Sequence, residues 1–229
     1  MLATGNRFFV VFPLFSTDKF QIEIERNCEN IYNFSETVIP PDEREVAAMI
    51  DQIMEYNKKF VENKGYEPFL TSKYPDKKLA ILTCMDTRLI ELLPAALGIK
   101  NGDAKIIKNA GGTMVHPYGS VVRSLLVGIL ELGVEEVMVI GHTDCGVQGM
   151  DGKEMLELLE KRGIDKQHID IVRHSGINLE NWLGGFESVE SSVHETVKGL
   201  KEHPLMPKDV KISGFIMNSE TGLLTKVEE

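Results

Sequence analysis

"KLAILTCMDTRL", residues 78 to 89, is a β-rich apolar run that stops at Cys84 and gives way at once to Asp86 and Arg88. A short run without polar alternation reads as a strand buried on both faces, and such strands belong to parallel sheets covered by helices. Two further runs have the same character, "AKIIKNAGG" from Ala104 and "VEEVMVIGH" from Val134, each preceded by a helical stretch, residues 89 to 97 and 118 to 132. Strand, helix, strand, helix, strand predicts an α/β fold: a parallel-core sheet with right-handed crossovers, flanked by helices.

Working outward, charged helices are expected near residues 152 to 162 and 186 to 201. "VKISGFIMN" and "LLTKVEE", separated by "SETG", predict an antiparallel C-terminal hairpin on the sheet edge. Upstream, Val46, Met49, Ile50, Ile53, Met54 and Phe60 recur at helical spacing after "IPPDE", with Asp42 placed to cap the start. An N-terminal helical arm over 42 to 63 follows. Residues 42 to 229 read as one domain, and residues 1 to 40 as an N-terminal extension to which the sequence assigns no role. Within that extension, "RFFVVFPLF" is short for a signal peptide, contains Pro13 and leads to no small-residue cleavage site. Phe20, Ile22 and Ile24 instead alternate like a strand paired with residues 8 to 12.

The 229 residues carry 25 Lys and Arg against 35 Asp and Glu, a formal charge of −10, and no basic block. That argues against nucleic acid or an anionic membrane as partner. Three cysteines, Cys28, Cys84 and Cys145, are too few for a disulfide framework and fit a reducing cytoplasm. Attention therefore shifts to cysteine as ligand or nucleophile.

In an open α/β sheet, function gathers in the crevice beyond the carboxyl ends of the strands. Cys84 ends the first run there, and His142 and Cys145 follow the third in "GHTDCG". Two thiolates and an imidazole suit zinc and leave a fourth tetrahedral position open. Spacing alone leaves two alternatives standing. The three residues could be buried structural groups, or Cys84 could be a nucleophile activated by a helix N-terminus and Arg88, with Cys145 resolving it. The thiol alternative lacks a C-x-x-C pair and leaves His142 unexplained. Asp86 beside Arg88 could be a carboxylate held ionised and oriented, although spacing by itself favours a helix cap and a surface arginine.

Together, "CMDTRL" at 84 to 89, "KNAGG" at 108 to 112 and "GHTDCG" at 141 to 146 resemble the β-class carbonic anhydrases, in particular their small prokaryotic branch. The resemblance spans about residues 42 to 229 and leaves out 1 to 40. It implies that Cys84, His142 and Cys145 bind one Zn2+ per subunit, that Asp86 and Arg88 are the catalytic dyad, and that Gly111 and Gly112 line the pocket. The implied reaction is reversible hydration of carbon dioxide to bicarbonate and a proton by a zinc-bound hydroxide that Asp86 orients. In some members the equivalent aspartate ligates zinc in a closed state. The family's pocket at a dimer interface implies a homodimer or higher even homo-oligomer, with residues 42 to 63 as the arm.

Two other functions remain compatible with these residues. One is a related zinc hydrolase acting on carbon disulfide or carbonyl sulfide. The other is a non-catalytic zinc-binding interaction protein, against which Asp86 and Arg88 argue, since a structural site needs no oriented carboxylate. His116, in "TMVHPYG", is the histidine nearest a motif and the candidate proton shuttle, although Pro117 places it at a loop-to-helix entry, where a surface histidine is the commoner reading. His168, His174, His194 and His203 are expected at the surface, Cys28 as a free thiol, and Trp182 as a packing anchor ahead of a helix.

Overall fold

Alternation along the first strand sorts its side chains onto two covered faces. In the computed structural model, which describes residues 43 to 228 and side chains from residue 48, β1 (Leu79–Cys84) has five of its six residues buried. Ala80 and Leu82 enter one apolar cluster and Ile81 the other. β3 (Glu136–His142) lies beside β1 in parallel, pairing Ala80 with Val137 and Leu82 with Val139, so both strands feed the same two clusters in step. Burial on both faces is why these runs lack polar alternation.

The sheet order is β2-β1-β3-β4-β5, with β2 (Ala104–Asn109) at one edge, β4 (Lys211–Met217) parallel to β3, and β5 (Leu224–Lys226) antiparallel at the other edge. The expected parallel core and C-terminal hairpin are both present. The hairpin turn is held by Asn218, whose side chain accepts from the backbone N–H groups of Glu220 and Thr221. One cluster combines α3 (Ser120–Leu132) and α7 (Val189–Glu202), through Val121, Val122, Leu125, Val193, Val197 and Leu200. The other gathers Ile81, Leu89, Leu93, Ile140 and Met217 around Cys84 and Cys145.

Helix α1 (Glu43–Glu62) matches the expected arm, and from Asn57 onward the chain forms a compact unit of its own. Residues 89 to 97 differ from expectation. A 3-10 turn (Thr87–Leu89) is followed by a short α2 (Leu92–Ala96) instead of one helix. Between α4 (Gly152–Lys161) and α7 stand two further helices, α5 (Lys166–His174) and α6 (Leu179–Leu183). Each begins at a side-chain cap, Asp165 accepting from Gln167 N and Asn178 from Asn181 N.

Two surface and packing expectations are corrected. Trp182 stands ahead of α7 as expected, but it lies within the short α6, belongs to none of the buried clusters and is 58% exposed, so it is no packing anchor. His203, expected at the surface, is buried, with Nε2 donating to the Pro117 carbonyl and Nδ1 accepting from Leu205 N. The strand pair expected within residues 8 to 24, the thiol Cys28 and the capping Asp42 lie outside the described residues. No described helix is long and apolar enough to cross a membrane.

Candidate metal centre

Register brings three ligand-type side chains to one end of the sheet. Thr83 pairs with Ile140, so Cys84, the last residue of β1, stands level with the end of β3 where His142 sits. The Thr83 hydroxyl locks this level by donating to the Ile140 carbonyl at 2.9 Å, wholly buried. After β3 the chain turns through Thr143 and a left-handed Asp144 (φ 54°), which returns Cys145 to the same spot. The Cys84 and Cys145 sulfurs are 3.9 Å apart, and the ligand atoms of Cys84, His142 and Cys145 all lie within 4.8 Å of one another.

The imidazole is oriented for coordination. His142 Nδ1 donates to the Thr143 carbonyl at 2.8 Å, which fixes the tautomer and leaves Nε2 with a free lone pair. Nε2 is buried and has no hydrogen-bond partner. Burying such an atom unpaired costs on the order of 1–3 kcal/mol, so an unpartnered nitrogen facing two sulfurs is a strong mark of a ligand site. Tetrahedral zinc with sulfurs at about 2.3 Å requires them about 3.8 Å apart, close to the separation found. The donor set fits a zinc ion.

Electrostatics follow from the same neighbours. Burial pushes the Cys84 thiol up, but His142 beside it and the backbone N–H groups of Asp86 and Gly111 outweigh that, bringing it from an ordinary 9.0 down to about 7. Cys145 moves the other way: burial pushes it up, and the neighbouring Cys84 charge adds to the rise. The Cys84 sulfur raises His142, with the Thr143 carbonyl assisting against burial.

Asp86 and Arg88 sit at the mouth of this cluster. Asp86 Oδ1 accepts from Arg88 N at 2.9 Å and from Nε at 3.0 Å, while Oδ2 accepts from Nη2 at 2.9 Å. The first of these bonds caps the 3-10 turn, so the cap favoured by spacing and the charged pair are the same residues in the same geometry. Arg88 chiefly holds the Asp86 carboxyl down, to about 2, with burial opposing. Oδ2 lies 3.8 Å from His142 Nε2. Arg88 also reaches Asp144, a contact the sequence reading passed over although Asp144 stands between two of its own ligand candidates. Nη1 donates to Asp144 Oδ2 and Nη2 to the Asp144 carbonyl, both at 2.8 Å.

Gly111 and Gly112 close against the ligand strand. Both are left-handed, at φ 82° and 67°. A Cβ on Gly112 would meet the Thr83 carbonyl carbon at 2.8 Å and Cys84 N at 2.9 Å, so only glycine lets this turn approach the end of β1. Beside them opens a cavity of about 680 Å³ with largely apolar walls, including Met85, Met114, Val147, Trp182 and Phe186. His116, the candidate shuttle, lies in the loop before α3, where its Nδ1 accepts from Tyr118 N at 3.0 Å.

The carbonic anhydrase family profile matches residues 79–224. YvdA of Bacillus subtilis (strain 168), which bears a carbonic anhydrase name, is 50% identical over 178 residues, 78% of this chain and 90% of that protein. A carbon disulfide hydrolase of Saccharolobus solfataricus is 32% identical over 163 residues, 66% of this chain and 78% of that one. Among solved structures, the β-carbonic anhydrase isoform I of Trichomonas vaginalis aligns with a TM-score of 0.70 and 33% identity, covering 78% of this chain and 96% of its own.

Proposed function

The chain belongs to the carbonic anhydrase family, in its β class, and from that premise we propose that it catalyses reversible hydration of carbon dioxide to bicarbonate and a proton, with Cys84, His142 and Cys145 holding one zinc ion. The observation that carries this is the buried, unpartnered His142 Nε2 facing two cysteine sulfurs, with an ionised carboxylate oxygen 3.8 Å away. Zinc bound by these ligands would lower the pKa of water from 15.7 towards about 7, making a hydroxide nucleophile available near neutral pH.

Asp86 is left with one position to use. A carboxylate has about four lone-pair sites, and Arg88 fills two on Oδ1 and one on Oδ2. The remaining site is on Oδ2, the oxygen nearer His142. Oδ2 therefore accepts the hydrogen of the attacking oxygen and aims that oxygen's lone pair at the substrate carbon. Held at about 2, Asp86 stays ionised and can only accept at neutral pH. The Gly111 backbone helps to lower the Cys84 thiol's pKa, and the apolar cavity walls suit a substrate without a net dipole.

The assembly and compartment follow the same reading. Met49, Ile50, Ile53 and Met54 on α1 are each more than half exposed in a single chain. An apolar face of that kind calls for cover, and we assign it to a second copy, giving a homodimer or a higher even oligomer. Cys84 and Cys145 form no disulfide, which fits a reducing compartment, and we assign the chain to the cytoplasm.

Carbon disulfide hydrolysis is the second reading, favoured by the 32% identity to a hydrolase of that substrate. Stopped-flow hydration of carbon dioxide, run with elemental analysis and a sulfide-release assay, separates the two. Catalysed hydration with one zinc per chain is the expected result. Full zinc with sulfide release and no hydration would transfer the function to carbon disulfide, and full zinc with neither activity would leave a binding module.

A further inference from the structure

Arg88 is gripped from two directions. A guanidinium presents five N–H donors in a rigid plane, and here Asp86 and Asp144 together engage all three of its nitrogens. The Asp86 partnership is local. The two residues are neighbours on one 3-10 turn at the end of β1, so their bonds fix them relative to each other but not relative to the far side of the cluster. Asp144 supplies that second reference. It lies in the β3 loop between His142 and Cys145, and both its carboxylate and its main-chain carbonyl accept from Arg88. Its left-handed backbone, φ 54°, is a conformation that aspartate tolerates better than most side chains and that lets both oxygens face one arginine.

We propose that Asp144 is a positioning residue for the hydration reaction, fixing the plane of Arg88 against the loop that carries His142 and Cys145 and thereby fixing the Asp86 oxygen that faces them. The inference rests on the proposed carbonic anhydrase activity. Its contribution to stability is small, because the Asp144 side chain is 85% exposed and Arg88 39% exposed, and exposed ion pairs add little to folding. Its contribution to geometry is larger, since a misplacement of about 1 Å at a reacting centre can cost up to roughly 10²-fold in rate.

The test uses the zinc-loaded full chain and two variants. Asp144→Gly accepts the left-handed backbone and keeps the main-chain carbonyl, so only the carboxylate is lost. Asp144→Asn keeps an oxygen acceptor for Nη1. The expected result is a kcat about three- to tenfold lower in Asp144→Gly, with KM within about twofold and zinc still one per chain, and an intermediate kcat in Asp144→Asn. A readout that needs no activity is the guanidinium 15N spectrum, with the Arg88 signals identified as those lost in Arg88→Lys. Slow rotation about the Nε–Cζ bond in the parent should become fast in Asp144→Gly. Unchanged kcat and rotation in Asp144→Gly, zinc loss accompanying the rate loss, or a change in KM alone would overturn the proposal. A parent chain that hydrates no carbon dioxide but shows the rotational change would instead remove the activity reading and leave the clamp standing.

Discussion

Asp86 Oδ2 stands 3.8 Å from His142 Nε2, an ionised acceptor and a buried lone pair meeting without a hydrogen bond between them. The two atoms have separate tasks, Nε2 as metal ligand and Oδ2 as acceptor for the attacking oxygen. Asp86→Asn should therefore leave zinc at one per chain by elemental analysis while kcat falls on the order of 10²-fold or more, as expected when a positioned proton acceptor is lost. Zinc loss in this variant would mean that Asp86 is itself a ligand in the resting enzyme.

Arg88 makes the acid behaviour of Asp86 a measurable quantity. The carboxyl is held at about 2 against an ordinary 3.8, so the pair's stabilisation is complete above about pH 4 and is lost as pH falls from there through about 2. Arg88→Ala removes that stabilisation. Its deficit against the parent in urea unfolding should be constant from pH 8 to 5 and shrink below pH 4. A deficit that instead vanished between pH 8 and 6 would show that the carboxyl titrates near neutrality. It follows that a fall in parent activity between pH 8 and 6 reports some group other than Asp86.

The strands were legible because burial on both faces removes polar residues from the whole run, as in β1 and β3, and a run of that kind has few other structural explanations. The site was legible only in outline. Spacing puts Cys84, His142 and Cys145 at strand ends, but it takes the β1–β3 register and the left-handed Asp144 to bring them within 4.8 Å. Helices α5 and α6 escaped because they are short and bury only Ile169 and Leu179, in a small cluster with Leu156 of α4, leaving a weak period beside two capping residues, Asp165 and Asn178. The second carboxylate on Arg88 escaped because residues 56 apart in sequence meet only through the sheet.

Removal of the metal should expose chemistry that the cluster otherwise hides. In a Cys28→Ser background, the zinc-loaded protein should show no thiol reactive towards a disulfide reagent at pH 7, and the chelated protein two. They should differ in rate, Cys84 reacting faster because its pKa is lowered to about 7, while burial and the neighbouring charge push Cys145 up. Equal reactivity before and after chelation would show that the two cysteines hold no metal.

Gly112 tests whether the end of β1 tolerates any movement. A methyl at this position would lie 2.8 Å from the Thr83 carbonyl carbon and 2.9 Å from Cys84 N. That backbone cannot retreat freely, because Thr83 is tied to Ile140 through its hydroxyl and Cys84 is paired in register with Asn109. Gly112→Ala therefore combines left-handed strain with a clash, costing about 2–4 kcal/mol in urea unfolding, and the displaced Cys84 should weaken zinc retention. Gly98→Ala supplies the control, since its φ is a similar 61° but nothing lies within 4 Å of the added methyl. It should cost about 1 kcal/mol, the strain alone, and leave zinc in place. Equal losses in the two variants would mean that β1 yields at Cys84 and that the close approach of Gly112 does not hold the ligand strand.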